Sequence, residues 1–250
     1  MSYCYTALIA GLLAAGTAFP ANSPGKVTIR WHGQSFFDIQ TSKGTRIVID
    51  PHALEAYGRQ SVPADLILVS HFHNDHTQVG VVPNYARAKI LYGLKMIGKK
   101  TTWNPIDETF RDVHVRTVGV YHDNAEGMER GKNTIFVVEA DGLRIVHLGD
   151  LGHLLSVKDI KKIGPVDVLM IPVGGVYTIN GAEAKKVAEQ LKPKQYILPM
   201  HYGTKVFTDL LPPDEFLEDQ KNVKKYPTNR LTVQAGAKVA EPTIALLDWK

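Results

Sequence analysis

The chain has 250 residues, of which 44% are hydrophobic and 22% are charged, and its net charge is +4 with His counted as neutral. A chain of this length can bury one substantial core, and the composition is that of an ordinary soluble protein. Its lysines occur as scattered pairs such as Lys99-Lys100, and no basic run is interleaved with aromatic residues. Solvated helix faces explain such pairs better than a nucleic-acid-binding surface does, so we expect no nucleic-acid partner.

The first 21 residues differ from the rest of the chain. Residues 7–19 form an uncharged apolar run of 13 residues, too short to cross a bilayer as a helix but as long as the core of a secretory signal. No Lys or Arg precedes the run, and a first strand or helix of the domain is the alternative. We predict a signal peptide at 1–21, a single domain at 22–250 and an exported protein, periplasmic or secreted, without stable membrane insertion. If the segment is not a signal, we expect the protein in the cytoplasm. The one cysteine, Cys4, lies inside the predicted signal.

Short apolar or alternating runs predict β-strands at the start of the domain. Runs at 27–31, 36–39 and 46–49 predict an antiparallel meander, which ends at Asp50-Pro51 because proline cannot donate to a sheet ladder. Asp50 is either a partner that orients a metal-bound histidine or an ordinary acid in a turn. The run Leu-Ile-Leu-Val predicts a further strand at 66–69.

Three histidines and an aspartate follow this run within six positions: His71, His73, Asp75 and His76. Alternate residues of an extended chain point the same way, so the first three share a side, and a turn can bring His76 beside them. Imidazole and carboxylate are good ligands for zinc and other divalent first-row metals. One ion could not use all four ligands well in so small a space, and the motif therefore favours two metal ions.

The remaining elements are predicted in chain order. Residues 79–87 and 94–99 are expected to be short helical or irregular connections. Strands are predicted at 90–92, 113–120, 134–139, 143–147, 168–173, 196–200 and 243–247, and helices at 156–163, after Asn180 and after Pro212. Ser156 and Asn180 each stand three residues before an acid, which is typical of a helix N-terminus. Asp141-Gly142 predicts a hairpin turn.

Three later strands also end in a residue that can bind metal: His122, Asp150 and His201. With the four residues above, one edge of a sheet sandwich would then carry seven ligands. Asp150 is flanked by glycines, which let a bound ion approach closely, and it can bridge two metals. Residues 122–133 hold two glycines and five charged residues and are a candidate cover for a substrate. Other residues considered are His153 as a possible substrate contact, His147 as a structural residue, and Tyr177, Tyr202 and Lys205 as weaker candidates for contacts.

This arrangement resembles the metallo-β-lactamase superfamily, in which an HxHxDH motif, a later His, a bridging Asp and a final His occur in the same order. The resemblance spans nearly all of the chain after the predicted signal. Stretches at 31–35, 49–51, 147–153 and 199–203 are similar to the branch of metal-dependent hydrolases that includes ascorbate-6-phosphate lactonase. The resemblance implies an α/β fold, namely an αββα sandwich of two mixed β-sheets flanked by helices.

The resemblance also implies how the ligands divide between two ions. One ion would be held by His71, His73 and His122, the other by Asp75, His76 and His201, and Asp150 would bridge them. Zinc is the expected metal, with manganese and iron as alternatives. A metal-bridging hydroxide would cleave an ester, lactone or phosphoester bond of a small molecule. Asp75 would orient the nucleophile and pass a proton to the leaving group.

This sequence lacks several features of better-known members of the superfamily, and their absence makes the activities of those members less expected here. No cysteine stands at the second site, as it does in β-lactamases of the superfamily with a zinc-binding Cys. The chain also has no room for the inserted domain of the RNA-processing relatives or the flavin domain of the diiron oxygen reductases. Two alternatives stay open: a redox enzyme of the same fold with a single iron, and a non-catalytic metal-binding or ligand-sensing module. Seven ligands argue against the latter, because a structural metal needs only about four. The sequence names neither the substrate nor the oligomeric state.

Overall fold

The computed structural model describes Met1 and residues 25–250, and the predicted signal peptide otherwise lies outside the described residues. The strands of the described chain are β1 (Lys26–Trp31), β2 (Phe37–Gln40), β3 (Arg46–Ile49), β4 (Leu66–Val69), β5 (Lys89–Tyr92), β6 (Leu94–Ile97), β7 (Lys100–Trp103), β8 (Asp107–Phe110), β9 (Val113–Tyr121), β10 (Lys132–Ala140), β11 (Leu143–His147), β12 (Val168–Pro172), β13 (Tyr196–Met200), β14 (Val223–Lys225), β15 (Arg230–Gln234) and β16 (Thr243–Leu246). The helices are α1 (Val157–Ile163), α2 (Gly181–Leu191) and α3 (Asp214–Leu217).

The first sheet has the strand order β15-β1-β2-β3-β4-β5. Strands β1, β2 and β3 pair in antiparallel fashion, which confirms the predicted meander, whereas β3, β4 and β5 are parallel. Because parallel strands end at the same edge of a sheet, Asp50 after β3 and the histidine motif after β4 come together.

The second sheet has the order β14-β16-β13-β12-β11-β10-β9-β8. Strands β11, β12 and β13 are parallel to one another, and β10 is antiparallel to both β9 and β11. Strand β9 therefore runs in the same direction as β11, β12 and β13. The carboxyl ends of these four strands meet at one edge, which is where His122, Asp150 and His201 lie.

Apolar side chains between the two sheets form the main core. In β4, Leu66 and Leu68 point into this core, and Ile67 and Val69 point to the outer face, where Val82 covers them. A strand buried on both faces reads as a continuous apolar run, which explains the sequence of β4. Helices α1 and α2 contact the second sheet. The predicted sandwich of two mixed sheets is confirmed, and on the first sheet short 3-10 turns at Val79–Val81 and Tyr85–Arg87 replace α-helices.

The predicted connection at 94–99 is wrong, since β6 and β7 pair as a hairpin around Gly98. Met96 and Ile97 on β6 are exposed, so this strand lacks the apolar alternation by which strands were recognised. Strands β8, β14 and β15 were also missed, and each lies at an edge of its sheet. Edge strands carry charged residues that discourage pairing with other chains, and such residues weaken the strand pattern.

The helix starts predicted at Ser156 and Asn180 are confirmed. Ser156 and Asn180 accept a hydrogen bond from the backbone N–H three residues on, and the acids at those positions bond back to them. The buried residues Ala184, Val187 and Leu191 lie on one side of α2. Within the described residues, no helix has both the length and the apolar character that crossing a membrane requires.

Candidate metal centre

The sandwich brings all seven predicted ligands to one edge. The Oδ2 atom of Asp150 lies at the centre of the cluster. It is 3.2 Å from the Nε2 atoms of His76, His122 and His201 and 3.8 Å from that of His71. The ligand atoms form three groups, and within each group all atoms lie within 4.8 Å of one another. The groups are His71 with His73 and His122, His71 with His76 and Asp150, and Asp75 with His76 and His201.

The first and third of these groups match the two sets of ligands expected from the resemblance. The Nε2 atoms of His71 and His76 are buried and have no hydrogen-bond partner among the described residues. Buried polar atoms in native proteins nearly always have a partner, so unpaired imidazole nitrogens that face a carboxylate fit a bound cation. The residues present therefore suit divalent metal ions.

The side chain of Asp50 orients two of these histidines. Its Oδ2 atom lies 3.0 Å from His76 Nδ1 and accepts a 2.6 Å hydrogen bond from Ser70 Oγ. The same Ser70 hydroxyl lies 2.9 Å from His71 Nδ1. With both Nδ1 atoms bonded to this pair, both Nε2 atoms turn toward Asp150. Of the two interpretations of Asp50, the geometry supports the one in which it orients a histidine of the cluster.

A turn at Gln34 and Ser35 contacts three predicted ligands. Ser35 Oγ donates to Asp150 Oδ1 at 3.2 Å, and Gln34 Nε2 donates to Asp75 Oδ2 at 3.4 Å. The backbone N–H of His201 donates to the carbonyl oxygen of Gln34 at 3.1 Å. Gln34 adopts a φ of 48°, which bends the chain so that backbone and side chain both face the cluster. Sequence reasoning noted this stretch only as part of the family resemblance.

Two glycines make room for the ligands that follow β9 and β13. A Cβ atom on Gly152 would lie 2.3 Å from the carbonyl oxygen of His122, and one on Gly174 would lie 2.3 Å from that of His201. These distances are far below van der Waals contact, so any larger residue would displace the ligand's backbone.

The charges of the cluster are strongly coupled. Burial of Asp75 favours its neutral form, but the close approach and charge of His76, whose Nε2 lies 3.5 Å from Asp75 Oδ2, outweigh this effect and lower the pKa of Asp75 to about 2. Burial likewise opposes ionisation of Asp150, and the surrounding histidines still hold its pKa well below the usual range. Burial also disfavours the charged form of His76, yet Asp150 and Asp50 raise its pKa well above the ordinary value. Two carboxylates thus stay ionised, and a metal ion would displace the proton of His76.

The ligands open into a cavity of about 350 Å³. Its lining consists of His73, Asp75, His122, Arg130, Asp150, Tyr177 and His201. Tyr177, a weak candidate for a substrate contact, is one of these lining residues. Arg130 was not singled out, although it belongs to the predicted cover at 122–133. The loop contains five charged residues, and nothing in the sequence distinguishes Arg130 from the other four.

Other predicted contacts lie away from this cavity. His153 is not among its lining residues, because its Nε2 accepts from the backbone N–H of Tyr121 at 3.1 Å and its Nδ1 lies 2.7 Å from the carbonyl oxygen of Leu154. His147 is structural as predicted, with Nε2 bonded to the Ser35 carbonyl oxygen at 2.9 Å. A larger cavity of about 770 Å³, lined partly by Tyr202 and Lys205, contains none of the seven predicted ligands.

Comparison with known proteins assigns this fold to a family. Residues 28–201 match the model of the beta-lactamase superfamily domain, which is more than half of the chain. The chain belongs to the metallo-β-lactamase superfamily. The sandwich described above is the fold of this superfamily, as expected from the order of the predicted ligands.

Individual relatives of the superfamily narrow the assignment. A UPF0173 metal-dependent hydrolase of Thermococcus onnurineus is 32% identical over 198 residues, which cover 71% of this chain and 85% of the relative. Another UPF0173 metal-dependent hydrolase, from Desulfitobacterium hafniense, is 32% identical over 233 residues, covering 82% of this chain and 94% of the relative. These matches place the chain among the metal-dependent hydrolases of the superfamily, and it is an enzyme.

A solved structure supports the same family. A Thermotoga maritima protein assigned to the Zn-dependent hydrolases of the metallo-beta-lactamase superfamily is 33% identical, with a TM-score of 0.66. The match covers 88% of this chain and 98% of that protein. The relative therefore has nearly the same extent as the part of this chain that forms the sandwich.

Proposed function

We propose that this chain is a dinuclear hydrolase that cleaves an ester, lactone or phosphoester bond in a small molecule. One ion would be held by His71, His73 and His122 and the second by Asp75, His76 and His201, with Asp150 shared, as set out above. The observation that carries the proposal is the position of Asp150 Oδ2, which lies within 3.8 Å of Nε2 atoms from both ligand sets. Zinc suits this mixture of imidazole and carboxylate.

Divalent ions at these residues would supply a water of lowered pKa as the nucleophile and a Lewis acid for the oxygen of the scissile group. The protein's own contribution begins with the buried histidines, which Asp50 and Ser70 hold with their Nε2 atoms toward the centre. Asp150 keeps its negative charge through the histidines around it and is fixed by Ser35.

Asp75 is the proposed catalytic residue. It lines the open cavity and is partly exposed, unlike the buried Asp150. Its carboxylate can accept a hydrogen bond from the attacking water and fix its direction. The same carboxylate would pass a proton from the water to the leaving group.

The test is hydrolysis of aryl esters, lactones and phosphoesters by the zinc-loaded protein. Asp75→Asn and Asp150→Ala are expected to lower kcat/KM by more than about 100-fold, which exceeds the usual effect of residues that only orient a ligand. His114→Gln is the matched control, because His114 is outside the cavity lining and bonds to Asp107. Full activity of both Asp variants on a substrate that the wild type hydrolyses would refute the proposal. About one iron per chain, with oxygen uptake, would instead favour the redox alternative.

A further inference from the structure

The loop between β9 and β10 is folded around one carboxylate. Asp123 is only 3% exposed. Its two oxygens accept four backbone hydrogen bonds, from the N–H groups of Ala125, Gly127, Glu129 and Arg130, at 2.8, 2.8, 3.2 and 2.7 Å. A carboxylate with this many donors fixes the path of the chain, so the loop is a closed turn that begins next to His122. The backbone of Arg130 is therefore held at a defined position on the wall of the metal cavity.

The side chain of Arg130 extends from this turn along the cavity wall. Its Nη2 donates to the carbonyl oxygen of Val176 at 3.3 Å, and its guanidinium lies 5.9 Å from the ring centre of Tyr177. These contacts join the loop to the segment that follows β12. Among the described residues that line the cavity, Arg130 is the only Lys or Arg.

The guanidinium is not fully used by the protein. Its other contact is a 3.2 Å ion pair between Nη1 and Glu129, whose side chain is 60% exposed. An ion pair in water contributes little and exchanges easily. Arginine has five N–H donors in a planar fork, and the side chain here is 35% exposed, so donors remain for a ligand in the cavity.

We propose that the substrate carries an oxyanion, a phosphate or a carboxylate, which Arg130 binds while the scissile bond lies over the metal ligands. The planar fork of arginine matches the two oxygens of such a group. Asp123 is the positioning residue that holds Arg130 in place. The inference rests on the proposed hydrolase function and adds the charge of the substrate to it.

The first test compares two p-nitrophenyl esters of glutaric acid that differ only at the far carboxyl, which is free in one and a methyl ester in the other. The selectivity is the ratio of kcat/KM for the anionic ester to that for the neutral ester. Arg130→Gln is expected to lower this ratio by about 10- to 100-fold, the usual range for a hydrogen bond to a charged group. Arg130→Lys keeps the charge but not the fork and should fall between. Arg87→Gln removes the same charge from an exposed turn and is the matched control.

The role of Asp123 has its own readout. Asp123→Asn is expected to raise KM for the anionic ester more than it lowers kcat, with zinc content unchanged. Equal effects on both esters, or a loss of zinc, would mean that Asp123 only supports the neighbouring ligand.

A binding measurement decides the inference even if no ester is hydrolysed. Inorganic phosphate and acetate are titrated calorimetrically into the zinc-loaded wild type, Arg130→Gln and Arg87→Gln. The inference is supported if either anion binds more weakly to Arg130→Gln but not to Arg87→Gln. The anion whose affinity falls more identifies phosphate or carboxylate as the recognised group. Unchanged binding of both anions to Arg130→Gln overturns it. Absence of hydrolysis by the wild type on any substrate would contradict the proposed function and leave the titration to decide the role of Arg130.

Discussion

The bottom and the rim of the metal cavity are held in different ways. The bottom, formed by His71, His76 and Asp150, is at most 2% exposed, and each of these side chains bonds to Asp50, Ser70 or Ser35 behind it. The rim, formed by His73, Asp75, Arg130 and Tyr177, is partly or largely exposed. The difference indicates that the bottom fixes its metal ligands rigidly, whereas the rim, which includes the predicted ligands His73 and Asp75, is also open to a substrate. The predictions below test this division, from the largest effect to the smallest.

Removal of metal should destabilise the protein, because the bottom would keep buried nitrogens without partners. With free zinc at 1,000 times its dissociation constant, zinc is expected to add about 4 kcal/mol to the free energy of unfolding. Urea unfolding with zinc and with a chelator measures this difference. Asp150→Ala should reduce it strongly, and an equal effect of zinc on the variant and the wild type would contradict the prediction.

Asp50→Ala should weaken the bottom without touching any predicted ligand atom. The variant loses the acceptor that orients His76 and, through Ser70, His71, and such losses typically cost about 10- to 100-fold in metal affinity or activity. Competition with a fluorescent zinc chelator measures the affinity. Asp65→Ala removes a partly exposed acid beside β4 and is the control. Unchanged affinity of Asp50→Ala would show that the histidines need no such partner.

Gly174→Ala should disturb the backbone of His201, because the new Cβ would lie 2.3 Å from its carbonyl oxygen. Such overpacking is expected to cost about 1–3 kcal/mol of unfolding free energy. Gly80→Ala is a matched control, since a Cβ there has no atom within 4 Å and the backbone needs no positive φ. Equal stability of the two variants by urea unfolding would contradict the close packing around His201.

Gln34→Ala should have the smallest effect, since the only hydrogen bond of the Gln34 side chain to the described residues is the 3.4 Å bond to the rim carboxylate Asp75, and its backbone contacts would remain. We expect kcat to fall by about twofold to tenfold, the range of one ordinary hydrogen bond, while zinc content stays that of the wild type. Kinetics and elemental analysis on the same preparation check both parts. A loss of zinc equal to that of Asp50→Ala would remove the distinction between bottom and rim.

The sequence could predict that the seven candidate ligands converge, because their positions follow from strand direction. His122, Asp150 and His201 end strands of one sheet that run the same way, so each apolar run points its last residue to a common edge. The histidine motif ends a strand of the other sheet at the same edge. Burial of both faces of β4 produced the apolar run that marked this strand.

The remaining parts of the site depend on contacts between distant segments. Ser35 and Asp150 are hydrogen-bonded across 115 positions of the chain, and neither residue alone indicates the other. Arg130 gains its place from the fold of a loop around Asp123, which no periodic pattern encodes. The edge strands β8, β14 and β15 were missed because they carry charged residues, which discourage pairing with other chains and interrupt the apolar pattern by which strands are recognised.

The most direct test of the account is the number of zinc ions per chain, measured by elemental analysis after saturation with zinc and removal of the excess. The account predicts about two ions in the wild type and fewer in Asp150→Ala, because that carboxylate is proposed to serve both ions. One ion or none in the wild type, or two ions kept in Asp150→Ala, would contradict the dinuclear site on which the proposed hydrolysis depends.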